Sequence, residues 1–433
     1  MDIVENKYHK KSHQIYILMC CVFCGFYFVR DIIGIGVNWY IIYAVGAFTV
    51  LIVSKEEIIA FLVSIAAFSN AGFNGVFAMM ILACVLLRFF YDLKVVKLYS
   101  FLPLIMIVFE TLHYFMTQGI DRGVWLTYVC FILVLIIIQQ YDTNKIDKVF
   151  VMKSFISFSL FFVLMTIIQM LKIYGSFENM INIGFRSEEY KELLGEYAHL
   201  IGNSNFLTSL SSLNLCVCAV LIPKVKQKWS IIAAVCIFLF AGLLTVSKLF
   251  IVVLVAFAGY VVFYAYKKNI KYGIGVSIVL LVAVGVIFNL FGDNLIQMVV
   301  DRLTESDWST GRTGIVESLL AYMNAHPYTY VTGLGILQTS NYIGHAVHSS
   351  FFEVLGGWGV LGVLLAITYI VVQIREAKMK AEQRGSSPTP LNYLPILMFL
   401  GYSLAGMLFS SSLALIRMTV AFYAIEIGGK SEI

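Results

Sequence analysis

The sequence predicts an all-α polytopic membrane protein, and three observations carry that expectation. Of its 433 residues, 60% are apolar and only 13% are charged, against roughly 25% charged in soluble domains. The apolar residues fall in runs close to the roughly 20 residues that a helix needs to cross a bilayer. Lysines and arginines gather in the short gaps between those runs, where they report topology. Little chain is left for a separate water-soluble catalytic domain.

Windows of about 19 residues place spans at residues 14–30, 36–53, 57–71, 73–91, 98–116, 123–140, 149–171, 205–222, 229–246, 249–266, 273–291, 350–373, 393–411 and 412–427. No small-residue cleavage site follows the first run, which therefore reads as a retained span. The third is short and the last two adjoin, so about 12 to 14 crossings are expected. With the N-terminus inside, two-thirds of the lysines and arginines lie in inner segments, from Lys7, Lys10 and Lys11 to Arg375, Lys378 and Lys380. Both termini are then cytoplasmic by the positive-inside rule.

Net charge is only +5 and forms no extended basic face, which argues against nucleic-acid binding. The eight cysteines all sit in apolar runs. Cys21 and Cys24 read as CxxC, but a metal or redox site needs a second such pair and access to water, so they read as packing residues. No metal is expected.

The two longest connections, 172–204 and 292–349, fall on the outer side. They mix aromatics, glycines and histidines and read as folded caps over an outward-facing cavity. The inner loop 374–392, with Gly385, Ser386, Ser387, Pro388 and Pro390, reads as a solvated linker. Charges within spans mark functional cavities. Glu110 and His113 share a helix face at i, i+3 near the outer end of their span, Glu353 lies in the first outer turn of another, and Lys248 and Arg417 sit toward the outer side. No carboxylate falls near a midplane, which favours chemistry at the outer leaflet over ion-coupled transport. Snorkelling of span-end residues is the other explanation for each.

Within the second loop, Asp307, Ser309 or Thr310 can cap a helix over 312–325 that carries Ile315, Val316, Leu319, Leu320 and Met323 on one face and stops at His326-Pro327. Its N-terminal amides, the macrodipole and the Arg312 fork would cradle a phosphate or pyrophosphate. An interfacial amphipathic helix with a solvated arginine would have the same pattern. Beyond it lie Gly333-Leu334-Gly335, then His345 and His348, then Ser349-Ser350-Phe351-Phe352-Glu353 and the run Gly356-Gly357-Trp358-Gly359-Val360-Leu361-Gly362. A histidine at the mouth of a span can take a proton from a hydroxyl near neutral pH. The glycines read as helix-packing residues. Tyr328, Tyr330, Tyr342 and Trp308 suit stacking on sugars and suit an interfacial aromatic belt equally. Asp301, Glu305 and Asp307 read as solvated capping charge.

This arrangement resembles the O-antigen polymerase and ligase superfamily (Wzy and WaaL type): the arginine-led helix, Gly333-Leu334-Gly335, and His348 directly before a span with a glycine-rich first half. Arg186, then Gly202-Asn203-Ser204-Asn205 at the start of a span, and Thr245-Val246-Ser247-Lys248, similar to the family's Thr-x-Ser-Arg element, add to the likeness. It covers residues 186 to 362. The resemblance implies a glycosyltransferase C-like fold in the bacterial cytoplasmic membrane. It also implies a metal-independent polymerase joining undecaprenyl-pyrophosphate-linked oligosaccharide repeat units on the extracytoplasmic side. Arg186 and Arg312 would grip the pyrophosphate and His348 would serve the acceptor hydroxyl. Lys248, His345, Glu353, Asn205 and Arg302 are the candidate substrate-binding residues. Membrane lipid, a flippase and a chain-length regulator are the implied partners. The sequence departs from the family pattern at Ser349, where asparagine is common, and at Lys248, where arginine is. The alternatives are a ligase that moves finished polymer to another acceptor and, from another class, a lipid-linked oligosaccharide flippase or transporter. A transporter should have broken helices near the membrane centre.

Overall fold

The computed structural model describes residues 2–68, 72–92, 101–116, 121–141, 146–183, 204–304, 312–403 and 408–429, and among these every regular element is helical. Among the described residues six helices are long and apolar enough to cross a membrane, the architecture of a helical polytopic membrane protein. A helix lies at each of the expected spans. Several are too short for a roughly 30 Å core on their own, so the six crossing-length helices are fewer than the expected crossings.

The chain divides into two compact units, one made of 1–161 with 309–433 and the other of 162–308. The first holds α1 (Asp2–Phe28), which continues as a π turn over Val29–Ile33, then α2 (Trp39–Ile52), α3 (Lys55–Ile65), α4 (Gly75–Phe89), α5 (Phe101–Met116) and α6 (Arg122–Gln140). The N-terminal part of α7 (Lys148–Tyr174) also belongs to it. Polar caps set where these apolar helices begin. Asn38 Oδ1 accepts from Tyr40 N, Ser54 and Glu57 form a capping box, Asn74 accepts from Val76 N and Phe77 N, and Asp121 from Gly123 N. Each side chain satisfies amide donors that no lipid could. Outward faces carry large apolar side chains such as Leu87 and Leu112, while Phe61, Phe77 and Phe131 are fully buried.

The same unit resumes with α13 (Arg312–Ala325), after the segment that forms the second unit. That unit contains the rest of α7, α8 (Phe177–Ile183), α9 (Ser204–Leu221), α10 (Lys228–Leu244), α11 (Lys248–Lys268) and α12 (Ile270–Thr304). Its α9 packs on α10, and α11 on α12. At 35 residues α12 runs well past the expected span 273–291, so much of what reads as loop after residue 291 is helix. The first unit then continues through two short turns, α14 (Thr329–Thr332) and α15 (Thr339–Ile343), to α16 (Ser350–Gln383), α17 (Pro390–Ser403) and α18 (Ser412–Glu426). α16 has 34 residues but is not continuous: Gly359 has φ +67° and ψ −165°, and the helix breaks there.

Candidate functional site

The helix α13 begins at Arg312 and packs through Leu319 and Met323, both with no exposed surface, against Leu334 and Val347. Ile315, Tyr322, Tyr342 and Ile343 close the edges of this small core. Spacing explains the face: 315, 319, 322 and 323 recur at helical period, and Arg312 lies one turn before Ile315 on the same side. The segment 342–348 therefore runs back along α13. Tyr342 meets Tyr322 near the C-terminal end of α13, with ring centroids 5.5 Å apart. Val347 sits on the shared core, and the charge of Arg312, at the N-terminal end of α13, acts on His348.

His348 is half-buried. Burial, and after it the positive charge of Arg312, lower its pKa below the ordinary value of 6.5. The imidazole is therefore neutral at neutral pH and holds a lone pair for a proton. Among the described residues Arg312 makes no ion pair. The positive charge of Arg312 thus reaches a half-buried imidazole.

What holds the loop in place was only partly legible beforehand. Glu110, fully buried on α5, accepts from Ile336 N at 2.6 Å, from Leu337 N at 3.4 Å and from the Trp358 indole. Gln338 Nε2 donates to His113 O at 3.2 Å. Glu110 and His113 therefore dock the 335–338 turn onto α5. The break at Gly359 does the same from α16. It takes the carbonyls of Gly356 and Gly357 out of the helix ladder, and Leu334 N and Gly335 N donate to them at 2.8 and 2.7 Å. Gly333, with φ +71°, lies so close that a Cβ would stand 2.0 Å from Gly357 O. A Cβ on Gly359 would meet Val331 O at 2.5 Å. The glycine run is thus a seat for backbone on backbone, which helix packing alone did not anticipate.

Glu353 has a place in the fold. Expected among the substrate-binding residues, it is buried and its two oxygens accept from Leu408 N at 3.0 Å, Phe409 N at 3.1 Å and Ser410 N at 3.0 Å. That carboxylate anchors the turn leading into α18, so a structural task already occupies its acceptors. His345 is exposed in the 342–348 segment, between Tyr342 and His348.

The second unit has its own cluster. Asn205 lies in the first turn of α9, and Thr208, one turn on, donates to Thr245 Oγ1 at 3.0 Å. Thr245 in turn donates to Gly242 O at 2.6 Å. Val246 follows with φ +45°, a left-handed conformation that a β-branched residue adopts only when its surroundings impose it. Lys248, half-buried, is the first residue of α11, where a cation opposes the helix dipole. Arg302 lies in the last turn of α12. Arg186, Gly202 and Asn203, and also Glu305, Asp307, Trp308, Ser309 and Thr310, lie outside the described residues. Among the described residues no group of histidine, cysteine, aspartate and glutamate could hold a metal ion.

No protein-family model matches the chain, and no curated protein matches it either. The residues themselves carry the functional reading.

Proposed function

We propose that the chain is a polysaccharide polymerase of the O-antigen polymerase type. It joins undecaprenyl-pyrophosphate-linked oligosaccharide repeat units at the outer face of the cytoplasmic membrane. What supports the reading is Arg312 at the start of α13, a cation whose charge acts on the half-buried His348. Transfer of a glycan from a lipid pyrophosphate needs one group to meet the negative charge developing on the leaving diphosphate and another to take the proton of the attacking hydroxyl. The acceptor oxygen bonds to the anomeric carbon as the bond to pyrophosphate breaks. The proton goes to His348 and the electron pair leaves with the diphosphate. Arg312 is a planar bidentate donor suited to phosphate oxygens. His345 would serve sugar hydroxyls.

The flippase reading draws on broken helices, and α16 is broken. The break, however, is filled by residues 331–335, whereas a transport pathway needs unwound backbone lining a cavity. Product analysis tests the proposal. Cells without the gene should accumulate single repeat units. Finished polymer retained on its lipid would indicate a ligase, and repeat units trapped on the inner leaflet a flippase.

A further inference from the structure

Four rings gather at the C-terminal end of α13, away from Arg312. Tyr322 and His326 stack with centroids 4.4 Å apart and planes at 25°. Tyr342 closes on Tyr322 at 5.5 Å, and Tyr328 stands edge-on to His326 at 6.1 Å. Tyr328 is 63% exposed. Polar groups border the rings: Asn324 accepts from the Tyr330 hydroxyl at 2.8 Å, and Asn324, Asn341 and His345 are exposed. Rings that anchor a protein at the lipid interface form belts around its circumference at headgroup level. These instead meet one another at one helix end, Tyr322 and His326 stacked, Tyr342 tilted and Tyr328 edge-on, with amides beside them. Apolar ring faces next to hydrogen-bonding edges match a sugar, which is apolar on its faces and hydroxylated at its rim.

The placement fixes a distance. Tyr322 follows Arg312 by ten residues of continuous helix, about 15 Å. The 342–348 segment, with His345 at its middle, bridges the same interval. A chain leaving the Arg312–His348 pair along this track reaches the rings several sugars from its reacting end. We propose that Tyr322, His326, Tyr328 and Tyr342 form a carbohydrate subsite that holds the growing polymer at a distance from the bond being made. Its identity as a polymer subsite rests on the polymerase reading above. Its capacity to bind sugar does not. Holding the chain between rounds of addition lengthens the product without taking part in any single transfer.

The test uses full-length protein in detergent micelles. The probe is lipid-free fragments of the source cell's own polysaccharide, released by partial acid hydrolysis and observed by saturation-transfer NMR. Wild type should transfer magnetisation to sugar ring protons. Tyr328→Ala, at an exposed position outside the small core, should weaken binding about two- to tenfold, the loss of one ring contact. His326→Ala, also outside that core, should do the same, with an unchanged melting temperature excluding misfolding. In a transfer assay with lipid-linked repeat units, both variants should add the first unit at the wild-type rate and give shorter polymer. Fragments that bind no wild-type protein, or bind the Tyr328→Ala variant undiminished, overturn the subsite. Arg312→Ala separates the two readings. It should retain fragment binding while losing transfer, and fragment binding beside undiminished transfer would leave the subsite standing and remove the polymerase assignment of Arg312.

Discussion

The two ends of α16 handle charge in opposite ways. Near its N-terminal end the carboxylates are put out of reach: Glu110 and Glu353 are buried and satisfied by backbone amides and an indole. Arg312 and His348, nearby, meet no carboxylate among the described residues. Near its C-terminal end the cations are the ones engaged. Glu426 receives Lys148 at 3.3 Å, Lys380 at 3.4 Å and Arg384 at 4.0 Å, and Asn392 Nδ2 donates to Ala424 O at 2.8 Å beside them. A carboxylate held by peptide donors stabilises a turn without neutralising any neighbouring arginine. A carboxylate reached by three cations from separate segments ties helices together. The first arrangement suits a site for an anion, the second a clamp.

The largest expected effect breaks the clamp. Glu426→Ala leaves Lys148, whose side chain is 1% exposed, without its carboxylate, and should cost about 3–5 kcal/mol, as for other broken buried pairs. Thermal unfolding in detergent measures it, and transfer per folded molecule should be unchanged. Next comes Glu353→Gln, which presents one acceptor and one donor to three amides. A loss of about 1–3 kcal/mol is expected, read in the same melt. A smaller effect follows from pH. His348 must be neutral to accept a proton and its pKa lies below 6.5, so the acidic limb of a pH–rate profile should fall below that value. Arg312→Ala removes one of the two causes of the lowering, so the pKa should rise, as read from the pH dependence of His348 modification by diethylpyrocarbonate. The smallest effect is at Lys378–Glu382, an i, i+4 pair with both side chains about half exposed. Lys378→Ala should change stability by about 0.3–0.5 kcal/mol.

Helix positions were legible because hydropathy and caps are local: the helix from Arg312 to Ala325 follows from its apolar spacing and from the stop at His326-Pro327. Glu110 was legible as an ionisable group in a span, but not as the dock for residues 336 and 337, because that contact joins segments more than two hundred residues apart. The contacts of Glu353 were hidden likewise, since its partners at 408–410 have no local sequence signal. The extension of α12 to Thr304 was missed because its last two turns carry Asp301 and Arg302, polar enough to read as loop. Gly359 could have been found: a glycine beside a buried tryptophan in a span often marks close backbone approach. Val246 could not, because nothing in a Thr-Val-Ser-Lys run marks a left-handed valine.

The central claim is that Arg312 and His348 act together on a lipid-linked diphosphate substrate. Purified protein incubated with a defined lipid-linked repeat unit tests it most directly. Wild type should yield a ladder of polymer. Arg312→Ala and His348→Ala, inserted and folded as wild type, should each lower the rate by about 10²–10³-fold, the cost of losing one charge-stabilising or proton-accepting group. A full ladder from either variant would contradict the account.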